Sequence, residues 1–229
     1  MLPPKANAAF VAAMEDVLEV YARPRDERRP VVCMDEGGKQ LIGDMRPPLP
    51  VRPGDAARVD YEYERHGTAN LFMAFEPLTG RRRVEVTQRR TNKDFARLVK
   101  RLLEEWYPTA EKVVLVLDNL STHTAAALYE TLAPQDARRL VERIEWHYTP
   151  KHGSWLNVAE LELSVLARQC LDRRIPDLET LQAEVAAWER ERNRQQVRVD
   201  WQFTTADARL KLKRLYPELT PAESAVAEH

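Results

Sequence analysis

The stretch Lys112-Val-Val-Leu-Val-Leu-Asp118-Asn-Leu-Ser-Thr-His123 sets five consecutive apolar residues, three of them β-branched, directly before an aspartate and an asparagine. A central strand covered on both faces needs such a run, and a carboxylate at its exit has left that shelter. Asp118 is therefore either a polar stop, since Asp and Asn also cap helices and fill turns, or a ligand. The pattern recurs upstream, where Val31-Val-Cys-Met34 leads into Asp35-Glu36 and then Gly37-Gly38.

Working outward, residues 7–22 place Phe10, Met14, Val17 and Tyr21 at helical spacing, and Pro24 stops that helix in a charged link ending at Pro30. From Lys39 to about Glu64 the chain is rich in Pro, Arg and Asp, including Arg46-Pro-Pro-Leu-Pro-Val-Arg-Pro53, which predicts an irregular excursion. Strands are predicted over 70–75 and 83–87 around the turn Pro77-Leu-Thr-Gly80, then a helix over 92–106, the strand 113–117, a helix over 124–132 and a strand over 144–148. Long helices are predicted over 155–171 and 178–194, with a disordered tail after Pro217. The order predicts an α/β fold, a mixed five-stranded sheet with helices on both faces, and a ribonuclease H-like sheet has that order. It divides the chain into a helical arm and linker (1–30), a main domain (31–217) and the tail (218–229).

Composition narrows the classes. At 229 residues the chain can bury a sizeable core, and 31% charged with 44% hydrophobic residues is ordinary for a globular protein. No run approaches the roughly 18 apolar residues of a spanning helix, and Met-Leu-Pro-Pro-Lys lacks a signal-peptide layout, so the expectation is a cytoplasmic protein with no membrane partner. Cys33 and Cys170 are the only cysteines, which argues against a disulfide framework or a Cys zinc site and predicts two buried thiols. The net charge of −1 conceals basic clusters at Arg81-Arg-Arg83, Arg89-Arg90, Arg173-Arg174, Arg190 to Arg198 and Lys211 to Arg214. Each alone reads as a solvated face, but clusters converging on one side could bind phosphates.

A third carboxylate lies in Ser154-Trp-Leu-Asn157-Val-Ala-Glu160-Leu-Glu-Leu-Ser164-Val-Leu-Ala-Arg168. Ser154 is the predicted N-cap, and Leu156, Ala159, Leu163 and Leu166 form an apolar stripe widened by Val158, Leu161 and Val165. On that buried helix Asn157, Glu160, Ser164 and Arg168 line up as a narrow polar strip. Asp35, Asp118 and Glu160 could together hold two Mg²⁺ ions about 4 Å apart, the arrangement that stabilises attacking and leaving oxygens in phosphoryl transfer. Strand ends would place the two aspartates, and the helix would swing Glu160 across to them.

Cys33-Met-Asp35-Glu36, Leu117-Asp118-Asn119-Leu-Ser-Thr-His123 and Thr149-Pro-Lys-His-Gly-Ser-Trp-Leu-Asn157-Val-Ala-Glu160 resemble the three catalytic motifs of bacterial transposases of the insertion sequence 630 family, relatives of the mariner group. The block Trp201 to Tyr216 is similar to their C-terminal segment. The resemblance spans roughly residues 10–217 and implies a DDE catalytic domain whose triad is Asp35, Asp118 and Glu160. It also implies Mg²⁺, with Mn²⁺ able to substitute, and cut-and-paste transposition of DNA element ends into a TA target. A nucleoid-associated location, a homodimer and a separate helix-turn-helix polypeptide for end recognition follow from the same resemblance.

Two departures accompany it. The spacing from Asp118 to Glu160 exceeds the usual mariner-type spacing, with the extra length assigned to a loop at about Ala133 to Arg143. The chain also leaves no room for N-terminal helix-turn-helix domains, so the alternative is a catalytically idle DNA-binding or assembly remnant. Asn119, His123, Lys151, His152, Asn157 and Arg168 are candidates for orienting ligands or contacting DNA. Trp155, Trp188 and Trp201 are expected in the core, while Glu36 and Glu162 are expected to point away from the triad.

Overall fold

A computed structural model describes residues 5–45, 62–120 and 122–218. Part of the predicted excursion (46–61), Ser121 and the tail after 218 lie outside the described residues. The elements are α1 (Ala8–Tyr21), β1 (Val31–Asp44), β2 (Tyr63–Glu76), β3 (Arg81–Thr87), α2 (Asn92–Arg101), β4 (Val113–Leu117), α3 (Ala125–Thr131), α4 (Pro134–Glu142), β5 (Ile144–Tyr148), α5 (Val158–Leu166), α6 (Leu178–Arg194) and α7 (Thr205–Lys211).

Five strands form one mixed sheet in the order β3-β2-β1-β4-β5. The β1–β2–β3 meander is antiparallel, whereas β1–β4 and β4–β5 are parallel, so the alternating helices must cross over the faces. This is the mixed five-stranded, ribonuclease H-like sheet expected from the element order. All five residues of β4 are buried, as their apolar run demanded. Their side chains alternate: Val114 and Val116 join the core under α1, α5, α6 and α7, while Val113, Leu115 and Leu117 join the core under α2, α3 and α4. On the second face Phe95, Leu98, Val99, Leu102 and Leu103 of α2 and its π-helical extension are buried, each contributing about 1.5–3 kcal/mol.

The structure corrects several boundaries. β1 runs on to Asp44 and β2 starts at Tyr63, so the two ends of the expected excursion, 39–44 and 63–64, belong to paired antiparallel strands, with a register shift between Gln40 and Ile42. The outer part of β1 is held by the segment after α5: Lys39 donates to the carbonyls of Leu171 and Arg173, and the Ile42 N–H donates to Ile175. The expected loop at 133–143 is helix α4, begun by Pro134 at its first turn and packed through Ala137 and Leu140. The helix expected as an arm ahead of the domain is part of the core: Phe10, Met14, Val17, Leu18 and Val20 of α1 are buried beside α5 and α7. Cys33 is buried as expected, whereas Cys170 is only half-buried. Trp155, Trp188 and Trp201 pack against the core, in line with their predicted role. Among the described residues no helix is long and apolar enough to cross a membrane.

Candidate active site

β1 and β4 pair in parallel only over Val31–Cys33 and Val114–Val116, after which β4 ends and β1 continues beside β2. Asp118 therefore leaves the sheet at a strand end, as expected. Asp35 does not: it lies within β1, opposite Met73 of β2, at the point where the β4 partner is lost. The split between the two strands opens beside both aspartates. Pleating turns Cys33 and Asp35 toward the α5 face and Met34 and Glu36 toward the α2 face.

Helix α5 brings Glu160 to that split through a joint that the sequence only partly disclosed. Ser154 begins a 3₁₀ turn, and the N-cap is Asn157, whose side-chain oxygen accepts from the Ala159 N–H at 3.1 Å. The same fully buried side chain donates through Nδ2 to the Met34 carbonyl at 2.9 Å. One asparagine thus caps the helix carrying Glu160 and pins it to the residue before Asp35. Tyr21 of α1 reinforces the joint by donating to the Leu156 carbonyl at 2.6 Å. Glu160 is exposed in the first turn, where its charge also suits the helix dipole.

Asp35 feels the charges of the other two carboxylates. Burial pushes the Asp35 carboxyl up from its ordinary 3.8 to about 7; the Glu36 N–H donating to it at 2.8 Å opposes this, and the charges of Asp118, Glu160 and Glu36 reinforce it. Such crowding costs stability unless a cation neutralises it. All three groups offer hard carboxylate oxygens, the donor type that fits Mg²⁺ or Mn²⁺. Among the described residues no three His, Cys, Asp or Glu side chains already stand close enough to enclose an ion.

The consequence for stability has a definite sign. Asp35 ionises in the unfolded chain near pH 4 and in the fold near pH 7, so folding loses stability as pH rises between these values and keeps the full penalty above them. Asp35→Asn is therefore expected to raise the melting temperature in EDTA at pH 8 by roughly 4–8 °C, taking about 2 kcal/mol after allowance for partial exposure. Near pH 4 the gain should vanish. An unchanged melting temperature at pH 8 would show that neither burial nor the neighbouring charges penalise an ionised Asp35.

His123 joins the two faces. Its Nδ1 lies 2.5 Å from Asp118 Oδ1 and its Nε2 lies 2.5 Å from Glu36 Oε2, while Tyr148 donates to its backbone carbonyl at 2.9 Å and Phe95 packs on its ring at 4.8 Å. Burial lowers the His123 pKa, but hydrogen bonds to Asp118 and Glu36, together with their charges, outweigh it and carry the value up to about 9. The two carboxylates thus favour the protonated ring, whose Nδ1–H donates to Asp118 while Nε2 stands within ion-pair distance of Glu36. Strand alternation does send Glu36 to the far face, as expected, yet His123 couples it back to Asp118.

A family profile described as DDE superfamily endonuclease matches residues 30–182, well over half of the chain. The chain belongs to the DDE superfamily endonucleases. Among solved structures, the Mos1 mariner paired-end complex with Mn superposes with a TM-score of 0.56 at 16% identity, over 95% of this chain and 66% of that one. The Mos1 transposase paired-end complex with left transposon end gives 0.56 at 17% over the same shares, and the Mos1 strand transfer complex gives 0.54 at 14% over 83% and 56%. At these identities the likeness is one of fold, and the chain spans 66% of the length of the first two. No curated protein sequence matches the chain.

Within this DDE endonuclease the remaining candidates divide. Asn157 and His123 are integral to the site's framework, as described. Asn119, Lys151 and His152 are exposed, and among the described residues their side chains make no hydrogen bond or ion pair. His152 sits at φ 66°, in the left-handed region, within the turn after β5. Arg168 is exposed and donates to Ser164 at 3.1 Å, so the outer part of the polar strip faces water. Leu161, expected to widen the apolar stripe, is 48% exposed beside Glu160. Glu162 points away from Asp35 as expected, but into a buried ion network. Its carboxylate pairs with Arg82 at 3.0 Å and with Arg192 at 2.9 Å.

Proposed function

We propose that the chain is the metal-dependent catalytic domain of a DNA transposase, cleaving and transferring DNA strands with Asp35, Asp118 and Glu160 as its working carboxylates. One observation carries the reading: Asp35, set in β1 where its β4 partner is lost, feels the charges of Asp118 at the β4 exit and Glu160 on α5, in a chain that belongs to the DDE endonucleases. The three would hold two divalent cations, Mg²⁺ with Mn²⁺ able to substitute, which when bound supply charge for the attacking and leaving oxygens of an in-line displacement. The chain's own part is positional. Asn157 holds the Glu160 helix against β1, the Glu36 N–H orients Asp35, and the His123 imidazolium orients Asp118.

The finer reading extends over 31–217 with α1 packed on it: a member of the bacterial insertion sequence 630 family, nucleoid-associated, acting as a homodimer on element ends and a TA target. A separate helix-turn-helix polypeptide would read those ends. A second reading, an idle assembly remnant, is favoured by one feature, the His123 contact that already occupies an Asp118 oxygen. A nicking assay on labelled pre-cut and uncut element ends with Mg²⁺ or EDTA separates the two. Mg²⁺-dependent cutting that EDTA abolishes is expected, and a chain that binds ends without cutting in Mg²⁺ supports the remnant.

Binding by the isolated chain is expected to be weak and nearly independent of sequence, because Arg and Lys contacts to phosphates carry affinity without reading bases. Affinity for a random duplex should fall steeply between 50 and 200 mM KCl. Tight, sequence-selective binding at physiological ionic strength would locate end recognition within these 229 residues.

A further inference from the structure

On the α2 side of the split, an open groove of about 710 Å³ runs between the β3–α2 connection and the start of α3. Arg89, Arg90, Lys93 and Arg97 line one wall, all exposed, and Thr122, next to His123, lines the other. The two nearby carboxylates are committed elsewhere. Asp94 closes the capping box of α2 with Thr91, leaving only a 3.8 Å approach to Arg97, and Glu130 accepts from Asn92 at 2.7 Å. Among the described residues Arg89 and Lys93 have no carboxylate within ion-pair distance. Arg90 reaches inward to 3.4 Å from Glu36, so the groove's inner end abuts the Glu36–His123–Asp118 chain.

Four like charges held along one wall repel one another unless a polyanion covers them. Lys93 and Arg97 stand about one helical turn apart, roughly 5.4 Å, and Arg89 and Arg90 continue the row into the loop, a layout that tracks successive phosphates rather than enclosing one. We propose that this groove binds the phosphodiester backbone of the DNA segment flanking the bond delivered to the site. The inference rests on the DNA-cleaving reading, and it assigns the approach path to the α2 face.

The test is fluorescence anisotropy of the full chain with a labelled random 30-base-pair duplex over a KCl series. The exposed triple variant Arg89→Gln, Lys93→Gln, Arg97→Gln is expected to lose at least 10-fold in affinity at 50 mM KCl, with a slope of log affinity against log salt shallower by about 2–3. Arg190→Gln with Arg198→Gln, on an exposed cluster elsewhere, should change binding less than twofold. Melting curves check that each variant folds, and Lys93→Gln alone should reduce the slope by about 1. If wild type binds and the triple variant binds equally well, the groove assignment fails while the nuclease reading stands. If wild type binds no DNA even at low salt, both fall. Displacement of the duplex by inorganic phosphate at matched ionic strength would mark a small-anion pocket and overturn the backbone assignment.

Discussion

Asp118→Asn is expected to lower Mg²⁺-dependent strand cleavage by roughly 10³-fold while leaving the fold intact. The loss follows from replacing a charged carboxylate that would hold metal by a neutral amide with one oxygen, at a site where the charge stabilisation a bound metal supplies would be worth several kcal/mol at about 1.4 kcal/mol per decade of rate. Folding is preserved because an asparagine side chain has the same size and its oxygen can still accept from the His123 Nδ1–H that lies 2.5 Å away. DNA affinity should be unchanged or slightly higher, since a negative charge beside the phosphates has gone. Single-turnover cleavage of a labelled duplex, alongside melting with and without Mg²⁺, decides the matter. Cleavage within tenfold of wild type would reduce Asp118 to a turn residue and return the balance to the idle reading.

That residue was legible because its signal is local. Five buried apolar residues followed by an acid describe both the central strand and the place where it surfaces. Glu160 was legible for a similar reason, as an acid on the polar strip of a largely buried helix. Asp35 was legible as a residue but not as a position: Gly37-Gly38 and the polar residues after it suggested the end of a strand, while β2 pairing carries β1 on to Asp44. Asn157 and Ser154 are both good caps, and only the contact to Met34, 123 residues away in sequence, selects Asn157. The Glu36–His123 link is equally non-local. Helix α4 did leave a trace, Pro134 followed by Ala137, Leu140 and Val141 at helical spacing, which the expectation of an inserted loop obscured.

Arg82 was the least legible of all, because between Arg81 and Arg83 it looks like one member of a surface cluster. Strand alternation instead buries it completely, with its guanidinium over Phe75 at 5.0 Å and near Trp188 at 5.9 Å, its Nη2 donating to Val197 at 2.7 Å and its Nε paired with Glu162. Glu162 also receives the fork of Arg192, at 2.9 and 3.1 Å, so one carboxylate joins β3, α5 and α6 two residues from Glu160. Breaking such a buried set from one side is costly, because the two guanidiniums left behind lose the carboxylate they share and have little water to replace it. Glu162→Ala is therefore expected to destabilise the fold by about 3–5 kcal/mol, a fall in melting temperature of roughly 10 °C or more for a chain of this size. Glu162→Leu combined with Arg82→Met replaces both charges by apolar groups and should recover most of that loss. Urea titrations of the two variants and wild type measure the difference directly. A loss below 1 kcal/mol for Glu162→Ala would mean that the Val197 carbonyl and the nearby Glu189 charge suffice to hold Arg82, and that α5 owes its seat beside Asp35 to Asn157 and apolar packing instead.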